Sequence, residues 1–332
     1  MTEALTTRAA TMHAITQPRY GSSDVLRLSR VPRPLVGDGD VLVRVHAAGL
    51  DRGTEHLMTG KPYAVRLATG IRRPRNPVPG RDVAGIVVGT GRGVTRFAPG
   101  DHVYGVAPGS FAEYALARED ALAHKPRSVS FAQAAVVPIS AGTAFQALTR
   151  AGCVRAGQSV LITGASGGVG SYAVQIASWL GADVTAVCGP TKVDHVVSLG
   201  AHRVIDRSRD DWTASGERYD LVLDIAGNPT VRSLRRVLAP RGTVVFVGGE
   251  GAGAITGMRR QLGGAVLSAF VRERLVLLMA RESGTDYERL AELIDAGHLS
   301  PVLDRTYPLE DAVEAVRQLE QGTIRGKVAI TT

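Results

Sequence analysis

The pattern of hydrophobic and polar positions divides the chain near residue 130. Between Met12 and Pro126, short runs rich in β-branched residues, such as DVLVRVHAAGL and RDVAGIVVG, are separated by glycine, proline and aspartate. This pattern is typical of the short strands of a barrel or sandwich. After Ser130, apolar strands alternate with helical segments of about ten residues, which predicts βαβ units and a doubly wound parallel sheet. The strands SVLI, LVLDI and VVFV barely alternate, as a sheet covered on both faces requires.

The length of 332 residues favours two domains, because single hydrophobic cores rarely grow this large. After Gly253 the pattern is less regular: it contains the helical patterns RLVLLMARES and YERLAELIDAG and ends in VLDRTYPLEDAVEAVRQLEQG and a final strand, KVAIT. This last part is too short to fold alone. We therefore expect it to return and complete the first domain.

The composition is that of an ordinary soluble globular protein, with 44% hydrophobic and 21% charged residues. The start, MTEALTTRAA, lacks the apolar core of a signal peptide, and no run approaches about 18 apolar residues. We expect a cytoplasmic protein with no membrane partner. The two cysteines, Cys153 and Cys188, are too few for a disulfide framework or a four-ligand zinc site, which fits a reducing compartment.

The chain is basic, with a net charge of +8 that comes mainly from arginine. The densest basic run, Ile71 to Arg75 (IRRPR), is interrupted by proline, and the chain lacks the dense basic patch or aromatic platform typical of nucleic-acid binding. A basic surface that attracts an anionic small molecule is therefore favoured over a nucleic-acid partner.

Four glycines lie between the strand SVLIT and the helical segment SYAVQIASWLG: Gly164, Gly167, Gly168 and Gly170. In this context glycines allow the backbone to approach a pyrophosphate, while the helix N-terminus offers free amide groups. Ser166 can add a hydroxyl donor. The turn also matches the TGxxxGxG pattern of short-chain dehydrogenases, but no later tyrosine has the lysine four residues on that they need. A turn that only packs helix on strand is the ligand-free alternative.

The end of the next strand indicates which dinucleotide binds. An NAD site favours a carboxylate there, about 20 residues on, to accept from the ribose hydroxyl. Here the chain reads Cys188-Gly-Pro-Thr191-Lys192, with no acid before Asp194. Thr191 and Lys192 would bind a 2′-phosphate that a carboxylate would repel, which favours NADPH. The alternative for Lys192 is a solvated lysine at a helix start.

Further motifs carry a family resemblance. The chain contains, in this order, the motifs PVPGRDVAGIVVG, GSFAEYALA, GASGGVG, LGAHRVID, LAPRGTVVFVGG and RGKVAIT. Together they resemble the medium-chain dehydrogenase/reductase superfamily, in its zinc-free quinone oxidoreductase and enoyl reductase branch. The resemblance implies a GroES-like β-barrel catalytic domain from residues 12–130 and 272–332. It further implies a Rossmann cofactor domain from residues 131–271 and a flexible N-terminus at residues 1–11. Homodimers are common in this branch, so we expect one here.

The resemblance also assigns cofactor contacts. Lys192 would meet the 2′-phosphate, and Arg207, which replaces a tyrosine common in quinone oxidoreductases, either clamps that phosphate or is an ordinary surface residue. The remaining implied contacts are Ser166, Gly167, Gly168, Val169 and Gly170 at the pyrophosphate, Ala226, Val247 and Gly248 along the cofactor, Thr143 beside the nicotinamide, and Lys327 in the cleft.

No metal site is expected. Zinc-dependent relatives carry cysteine, histidine and cysteine where this chain has Asp51, Arg81 and the cysteine-free Val137 to Thr143. A catalytic zinc needs about three converging N, S or O ligands, and an arginine at a ligand position would repel the ion. His46, His56 and His102 form no pair at metal spacing.

Without a metal to polarise a carbonyl, the easier hydride acceptor is one that is already electron-poor. An alkene conjugated to a carbonyl, or a quinone, accepts hydride while charge moves to an oxygen held by hydrogen-bond donors. We therefore predict NADPH-dependent reduction of a small apolar acceptor, which is an enone, an enal, an enoyl group or a quinone.

The candidate catalytic residues come from GLDRGTEHLMTGKPY: Asp51, Thr54, His56 and Tyr63. Tyr63 is the first candidate for the donor to the developing oxyanion, with a simple packing residue as the alternative. Asp51 could instead cap a short helix. Solvent is a further candidate for the proton source.

Two other functions stay open from the sequence. One is metal-free reduction of a simple ketone, the reaction of an alcohol dehydrogenase. The other is a non-enzymatic NADPH-binding protein with a structural or RNA-contacting role, which the basic composition keeps open.

Overall fold

The computed structural model describes residues 10–248 and 259–332, and in these residues the strands form two large sheets and one hairpin. The strands are β1 (Thr11–Thr16), β2 (Arg27–Pro32), β3 (Asp40–Leu50), β4 (Asp82–Thr90), β5 (His102–Val106), β6 (Tyr114–Arg118), β7 (Leu122–His124), β8 (Ser159–Thr163), β9 (Asp183–Cys188), β10 (Arg203–Asp206), β11 (Tyr219–Asp224), β12 (Leu238–Phe246), β13 (Arg274–Leu277), β14 (Leu303–Pro308) and β15 (Lys327–Thr331).

Several helices begin where the sequence supplies a side-chain cap. Ser130 and Gln133 form a capping box at one start, and Asp51 accepts from the Thr54 amide at another. No helix among the described residues is both long and apolar enough to cross a bilayer. The helices are α1 (Arg52–Thr59), α2 (Arg66–Thr69), α3 (Phe131–Ala135), α4 (Pro138–Gln146), α5 (Gly168–Trp179), α6 (Val193–Ser198), α7 (Val231–Arg236), α8 (Arg259–Ser268), α9 (Gly284–Asp295) and α10 (Ala312–Glu320).

The first sheet combines both ends of the chain. Its strand order is β14-β15-β3-β4-β5-β7, with β6 paired to β3. The terminal strand β15 runs antiparallel to β3, with Val328 opposite Leu50, and both side chains are buried. The expectation that the last segment completes the first domain is therefore confirmed. The β1–β2 hairpin joins this domain through a bridge between Ala14 and Ala112.

The second sheet is entirely parallel, in the order β10-β9-β8-β11-β12-β13. The strand order reverses between β8 and β11, and ligands of doubly wound folds bind at the carboxyl ends of strands at such a point. The buried residues of β8 and β12 match the prediction of a sheet covered on both faces. The predicted combination of a barrel-like domain and a doubly wound domain is thus observed.

Two structural predictions made from the sequence need correction. RLVLLMARES was predicted to be helical, but Arg274–Leu277 forms β13, which pairs with β12. The parallel sheet therefore extends past the boundary expected at residue 271, because this short apolar run is equally compatible with a buried edge strand. The predicted flexible N-terminus, residues 1–11, lies outside the described residues up to residue 9, and Thr11 already belongs to β1.

The two sheets share a core along a seam. One hydrophobic cluster contains Ala47 and Ala84 of the first sheet together with Val160 and Ile162 of β8. The seam is also closed by hydrogen bonds: the hydroxyl of Tyr172, on α5, donates to the carbonyl of Val136 at 3.2 Å. The positions of the barrel strands and of α5 are therefore fixed relative to each other.

Candidate active site

The loops that follow the parallel strands gather at one edge of the sheet. The glycine-rich turn follows β8, and loops containing residues predicted to contact a dinucleotide follow β9, β10, β11 and β12. This edge borders the seam with the barrel domain, where the Lys327 side chain packs near the start of α5. The expected cofactor contacts after β8, β9, β10, β11 and β12 therefore lie at one edge of the parallel sheet.

The glycine-rich turn is a tight approach of backbone to backbone. A Cβ on Gly170 would lie 2.1 Å from the carbonyl oxygen of Gly164 and 2.7 Å from the Cα of Ala165. Gly167 is the N-cap of α5, has an extended backbone and makes no side-chain cap. Ser166 is buried, and Val169 is half-buried in the first turn of α5. The first amides of a helix of 12 residues therefore face an opening with no side chain capping them.

The structure brings two cations to neighbouring strand ends. Lys192 lies in a short turn after β9, and Arg207 follows β10, where its amide donates to the carbonyl of Cys188. Burial and the Asp206 carboxylate raise the pKa of the Cys188 thiol, whereas the charges of Arg207 and Lys192 oppose this, so two cations and one carboxylate act at the end of β9. The Lys192 ammonium donates to the carbonyl of Ile324 at 3.2 Å, and Thr191 is exposed beside it.

The remaining predicted cofactor contacts surround the glycine-rich turn. The amide of Ala226 donates to the Thr163 hydroxyl at 3.3 Å, and the amides of Val247 and Gly248 donate to the carbonyl of Asp224. Thr143 lies on α4, where its side chain is half-buried. The ends of β11 and β12 are thus held against the end of β8, as a continuous dinucleotide groove requires.

A buried cluster of charged groups lies at the seam. The Lys327 ammonium is 3.4 Å from an oxygen of Asp51 and 3.2 Å from an oxygen of Asp82, and the three residues are 2%, 8% and 0% exposed. The stem of Lys327 passes Gly168, where a Cβ would be 3.0 Å from the lysine Cδ. We call Lys327, Asp51 and Asp82 the seam cluster. It joins the last strand, the start of α1 and the start of β4 to the start of α5.

The members of the seam cluster differ in protonation. Burial disfavours the charge on Asp51, but the Lys327 ammonium and the Thr54 amide outweigh it and lower the pKa of Asp51. Burial, together with the Asp51 charge and against the attraction of Lys327, raises the pKa of Asp82 to about 7. Burial also opposes the charge of Lys327, yet the two carboxylates raise the pKa of the ammonium. Because the native state binds the Asp82 proton more tightly than the unfolded chain, this group's contribution to stability decreases as pH rises towards 7.

The candidate catalytic residues do not all converge. Asp51 and Thr54 lie together at the start of α1, with the Thr54 amide 2.6 Å from a carboxylate oxygen of Asp51. Asp51 therefore does cap a helix, and it also binds Lys327. His56 is exposed, and Tyr63 is 45% exposed with the Arg66 guanidinium 4.8 Å from its ring centre. Among the described residues, neither Tyr63 nor His56 forms a hydrogen bond to the seam cluster.

Sequence reasoning missed Asp82. The residue follows Arg81 in GRD, and only the arginine was considered, as an obstacle to metal. Asp82 accepts a hydrogen bond from the Ile139 amide at 2.9 Å, so it also holds the start of α4. An acid that opens the strongly apolar strand DVAGIVVGT was an available signal, because a buried carboxylate needs partners. Arg81 pairs with Glu282.

The histidines of the barrel domain serve packing. His46 stacks on Phe131 with ring centres 4.5 Å apart, and His102 is tilted against the same ring at 5.1 Å. Across residues 10–248 and 259–332, no three His, Cys, Asp or Glu side chains are grouped as a metal site would require.

Comparisons with known proteins cover almost the whole chain. A family model described as the alcohol dehydrogenase GroES-like domain matches residues 37–127, and one described as zinc-binding dehydrogenase matches residues 199–330. NAD(P)H oxidoreductase RTN4IP1, mitochondrial, from Bos taurus is 32% identical over 97% of this chain and 90% of its own length. The quinone-oxidoreductase homolog, chloroplastic, from Spinacia oleracea is 32% identical over 97% and 99%.

A solved structure gives the same picture. The quinone oxidoreductase from Coxiella burnetii superposes with a TM-score of 0.85 at 27% identity, over 97% of this chain and 100% of that one. The similarity therefore includes both domains and their arrangement.

Two glycines of the turn provide a matched test of its geometry. Gly170→Ala should destabilise the protein by about 2 kcal/mol or more, because its Cβ would meet backbone atoms and outweigh the helix preference of alanine. Gly167→Ala should stay within about 1 kcal/mol of the wild type, because its Cβ would be 3.4 Å from the nearest atom. The free energies of unfolding come from urea denaturation. Equal stability of the two variants would contradict the turn described above.

Proposed function

Because the chain belongs to the medium-chain dehydrogenase/reductase superfamily and to its quinone oxidoreductase-like branch, we propose that it is an NADPH-dependent, metal-independent reductase of activated double bonds or quinones. Membership confirms the resemblance carried by the motifs, and with it an oxidoreductase enzyme of the NAD(P)H-dependent type. The preference for NADPH, the independence of metal and the class of acceptor are the proposal.

The glycine-rich turn carries the proposal, because its geometry fits a dinucleotide. The backbone of Gly164 and Gly170 is too close for any side chain, and the uncapped amides of α5 form an anion site for a pyrophosphate. When bound, NADPH supplies a hydride. The turn itself only binds and orients the cofactor, with Ser166 as an additional hydroxyl donor.

The choice of NADPH rests on Lys192 and Arg207. Both act on Cys188 at the end of β9, where a dinucleotide site of this fold meets the adenosine ribose. The Asp206 carboxylate also acts on Cys188, but it accepts from the amide and hydroxyl of Ser208 and lies 3.7 Å from the Arg209 guanidinium, so its charge is partly compensated. We propose that the two cations bind the 2′-phosphate.

The residues at the seam do not fit a catalytic zinc ion. Asp51 and Asp82 already share the Lys327 ammonium, and Arg81 brings a second cation beside them. A dication would have to displace a buried lysine from two carboxylates, and the ligand set would still lack soft or imidazole donors. The proposed reaction therefore uses an acceptor that needs no Lewis acid, namely an enone, an enal, an enoyl group or a quinone.

The site also limits which group can protonate the reduced product. Asp51 is ionised and occupied by Lys327 and the Thr54 amide. Asp82 can hold a proton near neutral pH, but it is 0% exposed and faces Lys327 and the Ile139 amide. Tyr63 is 45% exposed and carries a hydroxyl donor, so we propose that Tyr63 stabilises the developing oxyanion while Tyr63 or solvent delivers the proton.

A homodimer stays part of the proposal. On α8, Leu262 and Val266 are 48% and 67% exposed, and Phe270 and Met279, which follow α8 and β13 in the chain, are 80% and 70% exposed. Among the described residues β13 is the edge strand of the parallel sheet, and an edge strand near such side chains is suited to pairing with a second copy.

The acceptor class can be tested with purified protein and a panel of acceptors. We expect NADPH oxidation with quinones and with enones or enals, and at least about tenfold less with simple ketones of similar size. Hydride addition to a ketone leaves a localised alkoxide that no metal stabilises, whereas an enolate or a hydroquinone anion is stabilised by conjugation. The same rates should be seen after treatment with a chelator. Chelator-sensitive activity with tightly bound zinc, or a preference for simple ketones, would contradict the proposal.

The cofactor choice can be tested at Lys192. Lys192→Glu should raise the Michaelis constant for NADPH at least about tenfold and change that for NADH far less, because only NADPH has the 2′-phosphate that the new carboxylate repels. Lys192→Met is the matched control: it loses the same bond to Ile324 without adding a negative charge, and its effect should be intermediate. Equal effects on both cofactors would refute the 2′-phosphate assignment.

A further inference from the structure

The loop after α1 exposes unusually large apolar side chains. Leu67 and Ile71 are 75% and 73% exposed, and Tyr63 is 45% exposed. Single exposed apolar residues are common on soluble proteins, but here they occur within nine consecutive residues of one loop. We call residues 60–76 the basic loop.

The basic loop has charge of one sign only. Between Glu55 and Asp82 the sequence contains no acidic residue, and Arg72, Arg73 and Arg75 are all exposed. Among the described ion pairs, none joins these three arginines to a carboxylate, whereas Arg118 elsewhere on the barrel pairs with Asp120. Within the part of the chain that the structure describes, the Arg75 side chain donates to the carbonyl of Ala68 and to no carboxylate. The loop therefore presents positive charge that the protein itself does not neutralise.

The basic loop is held in place from its inner side. The Tyr20 hydroxyl donates to the carbonyl of Gly70 at 2.6 Å and lies 2.7 Å from the Thr69 hydroxyl. The Arg66 guanidinium lies 4.4 Å from the centre of the Tyr20 ring and donates to the carbonyl of Gly60. These contacts engage the carbonyls of Gly60 and Gly70 and the hydroxyl of Thr69, which face Tyr20 and Arg66. The backbone is thus fixed by partners that leave Leu67 and Ile71 facing outward.

We propose that the basic loop docks the protein onto the surface of an anionic phospholipid membrane. Leu67 and Ile71 enter the boundary between headgroups and acyl chains, and Arg72, Arg73 and Arg75 contact the phosphates. This combination of apolar side chains and adjacent basic residues matches the requirements of interfacial binding, in which both contributions are needed. A nucleic acid would satisfy the arginines but leave the two aliphatic side chains in water.

This proposal replaces the sequence-based expectation of no membrane partner. That expectation rested on the lack of a long apolar run, which bears on spanning segments and not on interfacial ones. Docking here would also bring the cleft, through Tyr63 and α1, towards lipid-soluble acceptors. The docking itself does not depend on the proposed reaction.

The test is sedimentation of the full-length protein with vesicles. We expect binding to vesicles of phosphatidylcholine mixed with phosphatidylglycerol, weaker binding at high salt, and little binding to phosphatidylcholine alone. Arg72→Ser/Arg73→Ser should lower the partition coefficient at least about tenfold, since each basic residue near the surface contributes about fivefold. Leu67→Ser/Ile71→Ser should lower it at least about fivefold at unchanged net charge.

Matched controls lie elsewhere on the same domain. Arg27→Ser/Arg30→Ser removes the same charge from exposed positions of β2, and Leu35→Ser removes a side chain that is 89% exposed. Both should keep the wild-type partition within about twofold. Unfolding midpoints serve as the control for folding, so the result is independent of the proposed reaction. Failure to bind anionic vesicles, equal losses in the controls, or arginine-dependent binding only to tRNA or to an acidic protein would each overturn the proposal.

Discussion

The site depends on one interaction, the buried ion pairing of the Lys327 ammonium with two carboxylates. Burying ions is costly unless each one is paired and hydrogen-bonded, and here Asp51 and Asp82 meet that condition together with the amides of Thr54 and Ile139. The stem of Lys327 also packs where Gly168 lacks a side chain. One lysine from the end of the chain thereby fixes the starts of α1 and α4 and lies against the start of α5. The cleft between the domains is built around it.

Much of the fold and the glycine-rich turn could be predicted from the sequence, because both depend on local patterns. The turn was recognisable from its flanking strand and helix, and the loops after the parallel strands meet where that topology requires. An acid at the start of an apolar strand was the only local signal of Asp82, and its partners could not be found in this way, since Lys327 on β15 and Ile139 on α4 are far away in the chain. β13 was missed because a short apolar run does not distinguish a strand from a helix.

The seam cluster also connects structure to proposed chemistry. Lys327 is shared by Asp51 and Asp82, and Arg81 pairs with Glu282, so the charges of the site are balanced by side chains of the protein itself. An electron-poor acceptor suits such a site, because its reduction places charge on an oxygen that hydrogen-bond donors can hold. Such acceptors are apolar and dissolve in lipid. This agrees with the proposal that the basic loop, with its aliphatic and basic residues, docks the protein on a membrane surface.

The central claim is that buried charge pairing at Lys327 holds the cleft together, and the unfolding free energy of Lys327→Met as a function of pH tests it most directly. We expect a loss of about 3–5 kcal/mol near pH 8, where the variant would leave carboxylates buried without their cation. The loss should be smaller near pH 5, because Asp82, whose pKa is raised to about 7, is then protonated and needs no counter-charge. A loss that is negligible, or equal at both pH values, would contradict the account.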